Sequence, residues 1–106
     1  MIKYSIEEKY EIWVGQNAQD NWNILNQSQQ NYIWMHLDKF SSPYVIITTN
    51  DVNSKDLLYA AQLCKEHSKY KFLKNINVIY TEVKNIKKGK EIGSAIVKGK
   101  TKKITV

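Results

Sequence analysis

The sequence predicts an α+β domain: about two helices set against a mostly antiparallel sheet, in the order β-α-β-β-α-β-β-β. Three observations carry that prediction. Residues 33–38 alternate, so that Ile33, Met35 and Leu37 fall on one face of a strand and Trp34, His36 and Asp38 on the other. The run "YVIITT" (44–49) is apolar on both faces, the mark of a central strand. The stretch "NDVNSKDLLYAAQLCKEHSK" changes period and places Leu57, Ala61 and Cys64 on one helical stripe.

Taken in chain order, "YEIWVG" (10–15) alternates and stops at Gly15, a strand running into a turn. Asn17 is placed to cap a helix over about 18–27, with Asp20 at the third helical position, where a carboxylate suits the helix dipole. Ala18, Trp22 and Leu25 share one face of that helix. "QSQQN" is a polar loop before the strand 32–37, and "DKFSSP" is a turn closed by Pro43, the only proline. Asn53 caps the second helix, with Asp56 three residues on. Leu58 with Tyr59 or Gln62 flanks its apolar stripe, and His67 and Lys69 sit near its C-terminal end, where positive charge is favoured. A basic link leads to the strand "NVIYTEV" (77–83). "KNIKKGKEIG" (84–93) reads as a loop, and "SAIVKGKTKKITV" (94–106) as a hairpin turning near Gly99, with a terminal strand from 102.

Size and composition narrow the classes. At 106 residues and 42% hydrophobic content the chain has room for one domain, 1–106, with one core. No stretch nears the roughly 20 apolar residues of a membrane-spanning helix. The opening "MIKYSIEEKYEIWV" has no apolar run like a signal peptide's. Cys64 is the only cysteine, which excludes an internal disulfide and makes a reduced, intracellular and cytoplasmic setting the expectation.

Charge is the first positive clue. The net charge is +6, every one of the 16 basic residues is lysine, and the placement is uneven. Residues 1–64 hold 4 Lys against 7 Asp and Glu, whereas residues 65–106 hold 12 Lys against 3 Glu. A basic half of this kind points to a polyanion-facing surface. Lys84, Lys87, Lys88 and Lys90 are the densest cluster, with Gly89 inside it to let the backbone approach a phosphate. Lys98, Lys100, Lys102 and Lys103 form a second group. Lysines in such a loop act as point charges on a backbone rather than as readers of bases.

Three blocks of this chain resemble a known family. "IWVGQNAQDN", "IWMHLDKFSSPYVII" and "VIYTEVKNIKKGKEIG" are similar, in order and spacing, to three motifs of the NFACT-R domain, the RNA-binding domain of the NFACT proteins. The likeness covers nearly all of residues 10–106, and the middle block is the most specific. It is nearest to the family's stand-alone type, whose long charged helix after the domain is expected to be missing here. The resemblance carries over Asn17 and Asn21 in the first block and Trp34, His36, Asp38, Lys39, Ser41 and Ser42 in the second. In the third it carries over Tyr80, Thr81, Lys87, Lys88 and Gly93. The chain departs from the pattern at Gln16, where the family usually has a basic residue, at Tyr32, often acidic, and at Tyr44, usually a histidine. A role that needs two histidines therefore does not carry over. What the resemblance implies is RNA binding, to structured RNA such as tRNA or rRNA near the ribosome, with DNA binding possible from the stand-alone type.

Three functional classes are open. The first is a non-enzymatic nucleic-acid-binding domain with a lysine-rich phosphate-contacting face and little sequence preference. The second is a protein-interaction module whose basic face meets an acidic partner. The third is a hydrolytic enzyme using His36 and Asp38 in acid–base work. Against the third, Ser41 and Ser42 lie in a turn without an activating base, and Cys64 falls on the apolar stripe of a helix. A metal site would need His36, Asp38 and His67 to converge, which the spacing does not require, so no metal or cofactor is expected. His36 is read as a structural histidine, and Trp34 as core rather than as a base-stacking platform.

Overall fold

The side chains of residues 33–37 divide between two faces, and the rest of the architecture exists to cover both. The computed structural model describes residues 1–106. The elements are β1 (Ile2–Ile6), β2 (Tyr10–Val14), α1 (Ala18–Gln27), β3 (Ile33–Leu37), β4 (Val45–Ile47), α2 (Ser54–Glu66), β5 (Asn77–Glu82), a 3-10 turn (Val83–Asn85), β6 (Ile86–Lys88), β7 (Ala95–Val97) and β8 (Lys102–Thr105). Six strands form one sheet in the order β1-β2-β4-β3-β5-β8, every pairing antiparallel, while β6 and β7 make a separate two-stranded ribbon. No helix is long and apolar enough to cross a membrane.

Each sheet face has its own core, so the expectation of a single core gives way to two buried clusters. On one face Ile33, Met35 and Leu37 join Ile12, Val14, Val45, Ile47 and Val78 beneath Ala60, Ala61 and Cys64 of α2. On the other face Trp34 and Ile46 join Tyr44 beneath Ile24 and Leu25 of α1 and Ile86 of the ribbon. The predicted central strand is central: β4 lies between β2 and β3, and all three of its residues are buried.

Local signals set the helices. The Asn17 side chain accepts the Asp20 N–H at 2.8 Å and the Asn53 side chain accepts the Asp56 N–H at 2.8 Å, as the capping pattern requires. The faces they bury differ from the sequence expectation. In α1 the buried residues are Asn21, Ile24 and Leu25, with Ala18 exposed and Trp22 at the flank. Asn21 points inward because its Oδ1 accepts the buried Tyr44 N–H at 3.0 Å. Gly15 makes room for it, since a Cβ at that position would sit 2.0 Å from Asn21 Oδ1. In α2 the flank of the stripe is Ala60 and Leu63, not Leu58, Tyr59 or Gln62, and Leu58 and Tyr59 face solvent.

Every predicted element is present in the predicted order, and the structure adds two strands. The first is β1, whose Ile2, Tyr4 and Ile6 pack against the α2-side core. The second is β6, which with the 3-10 turn occupies residues expected to be loop. The expected hairpin over 94–106 is not formed. Instead β7 pairs back with β6, and β8 pairs with β5. Burial explains the split: Ala95 and Val97 cover the Trp34 side of the sheet, whereas Ile104 packs into the α2-side core. The chain changes sides around Gly99, whose φ of +77° suits glycine.

Two outcomes follow from this packing. Asn21→Ala leaves the Tyr44 N–H unpaired in a core and is expected to cost about 1–3 kcal/mol in urea unfolding; no loss would mean that the contact is dispensable. In the β1–β2 turn Glu7 and Glu8 both hold left-handed backbone, at φ 50° and 60°. Glu8→Gly is therefore expected to raise the melting temperature, the relief of about 1–2 kcal/mol being partly offset by glycine's entropy in the unfolded chain. A lower melting temperature would show that Glu8 is not strained there.

Candidate nucleic-acid interface

The eight lysines singled out in the sequence are all exposed, but they do not share one surface. Within the ribbon Lys87 stands opposite Ile96, and Lys98 lies two residues beyond Ile96. Strand alternation puts these three on the outward face, while Ile86, Ala95 and Val97 face the core. The neighbouring Lys87 side chain, of like charge, holds Lys98 below the usual lysine range. Lys88 turns the other way and sets its ammonium 5.3 Å from the centre of the Trp22 ring. Lys84 pairs with Glu82 at 3.6 Å and Lys103 with Asp38 at 3.3 Å, surface contacts that stabilise little. On β8 the lysines divide: Lys103, opposite Ile79, looks to the Trp34 side, and Lys102, opposite Tyr80, to the α2 side.

Beside the ribbon, the cover over the sheet is incomplete and leaves a cleft of about 730 Å³. Trp34, His36 and Ile79 of the sheet line it, as do the N-terminal end of α1, the β3–β4 turn, residues 67–69 beyond α2, and the ribbon turn 91–95. All three motif blocks thus meet at one place, which their separation in sequence did not reveal. Trp34 is 1% exposed, as its core reading required, and stacks on His36 with ring planes 7° apart and centroids at 5.6 Å. Tyr44, at the position where the resemblance leads one to expect histidine, meets both rings edge-on, and burial pushes its phenol up to about 12. His36 is held below the usual histidine range by burial, against the pull of its hydrogen bond to the Leu37 carbonyl. Because that carbonyl only accepts, Nδ1 at 2.7 Å carries the proton and the neutral ring leaves Nε2 as an acceptor.

Many of the motif residues have structural work. Asn17 caps α1, and Asn21 joins α1 to β4. Ser42 Oγ accepts the Leu37 N–H at 3.0 Å and donates to the Pro43 carbonyl at 3.0 Å. Thr81 accepts from the Asn85 side chain at 2.8 Å, which steadies the turn into β6, and Tyr80 packs on the α2-side core. Gly93, at φ +85°, rests against Ala18 and seats the ribbon turn on α1. Lys39 and Ser41 remain exposed at the cleft. The Cys64 thiol is pushed up to about 12 by burial, so it is a poor nucleophile. His36 and His67 both line the cleft, but no three His, Cys, Asp or Glu side chains gather as metal ligands.

Several residues of the interface went unread in the sequence. Lys69 and Glu91 line the cleft, and Trp22 donates its indole N–H to the Ser94 carbonyl at 3.0 Å, tying α1 to the ribbon. Outside the cleft lining, Phe72 is 86% exposed, with the Lys71 ammonium 5.3 Å from its ring centre. The signal was present in "KYKFLK", where lysine and aromatic residues interleave.

Comparisons with known proteins identify the family. The profile of the family described as "NFACT protein RNA binding domain" matches residues 1–102. Coiled-coil domain-containing protein 25 of Danio rerio is 29% identical over 78% of this chain and 44% of its own length. The Bos taurus protein of the same name is 30% identical over 74% of this chain and 41% of its own. The C-terminal part of the fibronectin/fibrinogen-binding protein from Streptococcus suis superposes with a TM-score of 0.88 at 24% identity, covering 98% of this chain and 43% of that one. The chain thus spans less than half the length of each of these proteins, and the last likeness speaks to the fold alone. With the match over residues 1–102 and the three motif blocks brought together at one cleft, the chain belongs to the NFACT protein RNA binding domain family.

Proposed function

We propose that this chain is a non-enzymatic RNA-binding domain that grips the phosphate backbone of a structured RNA, such as a tRNA or rRNA, through the β6–β7 ribbon. One observation carries the reading: Lys87 and Lys98 stand as near neighbours of like charge on the outward face of the ribbon. Such an arrangement is unfavourable alone and is relieved by an anion between the two ammonium groups. Lys90 follows in the adjoining turn and Lys88 stands on the ribbon's other face over Trp22, and all of these are point charges without bidentate donors, which suits backbone contact with little base preference. Duplex DNA shares that chemistry and is a second ligand for the same surface. A protein-binding role for the basic face is the outcome to expect if nucleic acid fails to bind.

Salt dependence tests this reading. Each lysine that neutralises a phosphate contributes roughly 0.7–0.9 to the slope of log K against log salt. Changing Lys87, Lys88, Lys90 and Lys98 to glutamine is expected to flatten the slope by about three, for a structured RNA and a duplex DNA alike. Circular dichroism should show an intact fold, because exposed substitutions usually cost little. An unchanged slope in the folded variant would move the contact off the ribbon, towards Lys100, Lys102 and Lys103.

A further inference from the structure

We infer that the cleft beside the ribbon receives one unpaired nucleobase of the bound RNA. The inference rests on the RNA reading above and adds what the lysines do not supply, a place for a base. Charge argues against a phosphate in the cleft. Among its lining residues Lys39 and Lys69 are matched in number by Asp38 and Glu91, so the lining carries no formal excess of positive charge. A neutral cleft next to a strongly basic ribbon divides a polynucleotide into its two chemical parts, backbone outside and base inside.

The polar groups of the cleft suit the edge of a base. Trp34 lines it while 1% exposed, and its indole N–H finds no acceptor in the protein. A buried donor without a partner is destabilising, so an acceptor supplied by a ligand is favoured there. His36 lies beside it with Nδ1 committed to the Leu37 carbonyl and Nε2 left as an acceptor. One donor and one acceptor on stacked, parallel rings, with Ile79 as apolar lining, is the inventory a heterocyclic base needs. A base inside a duplex has its edge occupied and its faces stacked, which restricts the ligand to an unpaired nucleotide. Placement agrees as well. The ribbon turn 91–95 is a wall of the cleft, and the same ribbon carries Lys87 and Lys98 on its outward face.

The test compares two RNA hairpins, one with a single bulged 2-aminopurine and the other with that 2-aminopurine paired within the stem. Nitrogen-15-labelled protein is titrated with each, the Trp34 indole resonance being assigned from a Trp34→Phe sample. The expected result is a shift of that resonance and a change in 2-aminopurine fluorescence with the bulged hairpin alone. The bulged hairpin should also bind roughly three- to tenfold tighter than the paired one, the yield of one or two added hydrogen bonds. His36→Phe keeps a flat ring on Trp34 but removes the acceptor, and should bring the two affinities together. If that variant does not fold, the indole shift in the unaltered chain still decides. Equal affinities with a stationary Trp34 resonance would overturn the base pocket and leave the ribbon reading standing. Failure of both hairpins to bind would overturn both.

Discussion

A sheet buried on both faces is the constraint from which the other features follow. β3 and β4 lie in the middle of six strands, and their side chains alternate between two cores. α2 covers one face with small residues, Ala60, Ala61 and Cys64, which let the helix approach closely. The other face carries Trp34, His36 and Tyr44, bulky rings that hold their cover at a distance. A ten-residue helix and a ribbon of two short strands share that cover, and the cleft lies where they do not close. The candidate site is thus a consequence of aromatic residues on one face of a sheet that a short chain cannot fully roof.

The same constraint explains why motif residues turn out to be fasteners. Asn21, Ser42, Thr81 and Gly93 each hold a piece of cover or a turn in place through one or two contacts. Removing such a contact leaves a polar group unpaired or a backbone strained, so these residues hold the walls of the cleft in place. Lys39 and Ser41 are different: they make no comparable contact and stand exposed at the cleft mouth.

What could be read in the sequence was what is decided locally. Both asparagine caps and the alternation of 33–38 depend on neighbours within a few residues, and all three were legible. Partners distant in sequence were not. "SAIVKGKTKKITV" has the pattern of a hairpin, yet whether β7 pairs with β8 or β6 depends on which core needs Val97 and which needs Ile104. The buried face of α1 was misplaced because hydrophobicity ranks Trp22 above Asn21, while the structure needs an acceptor for the Tyr44 N–H. β1 carries a readable alternation of Ile2, Tyr4 and Ile6, obscured by its position in a charged opening segment. Exposure of the lysines was legible from their chemistry; their distribution over ribbon and sheet was not, since it follows from strand pairing.

That distribution separates two physical causes within one charge asymmetry. β8 is an edge strand of the main sheet, with a row of backbone groups open to pairing by another chain. Lys102 and Lys103 on that strand, one to each side, guard it against such pairing whether or not a phosphate is near. The ribbon has no such need on a large scale, being three residues long in each strand and fastened by the Trp22–Ser94 bond and the Lys98 N–H to Asn85 carbonyl bond at 2.8 Å. Lys87 and Lys98 side by side on its outward face need a different explanation. The proposed anionic ligand would supply one, and the cleft wall built from the same ribbon sets a concave surface of about 730 Å³ beside the place where that ligand's backbone would lie.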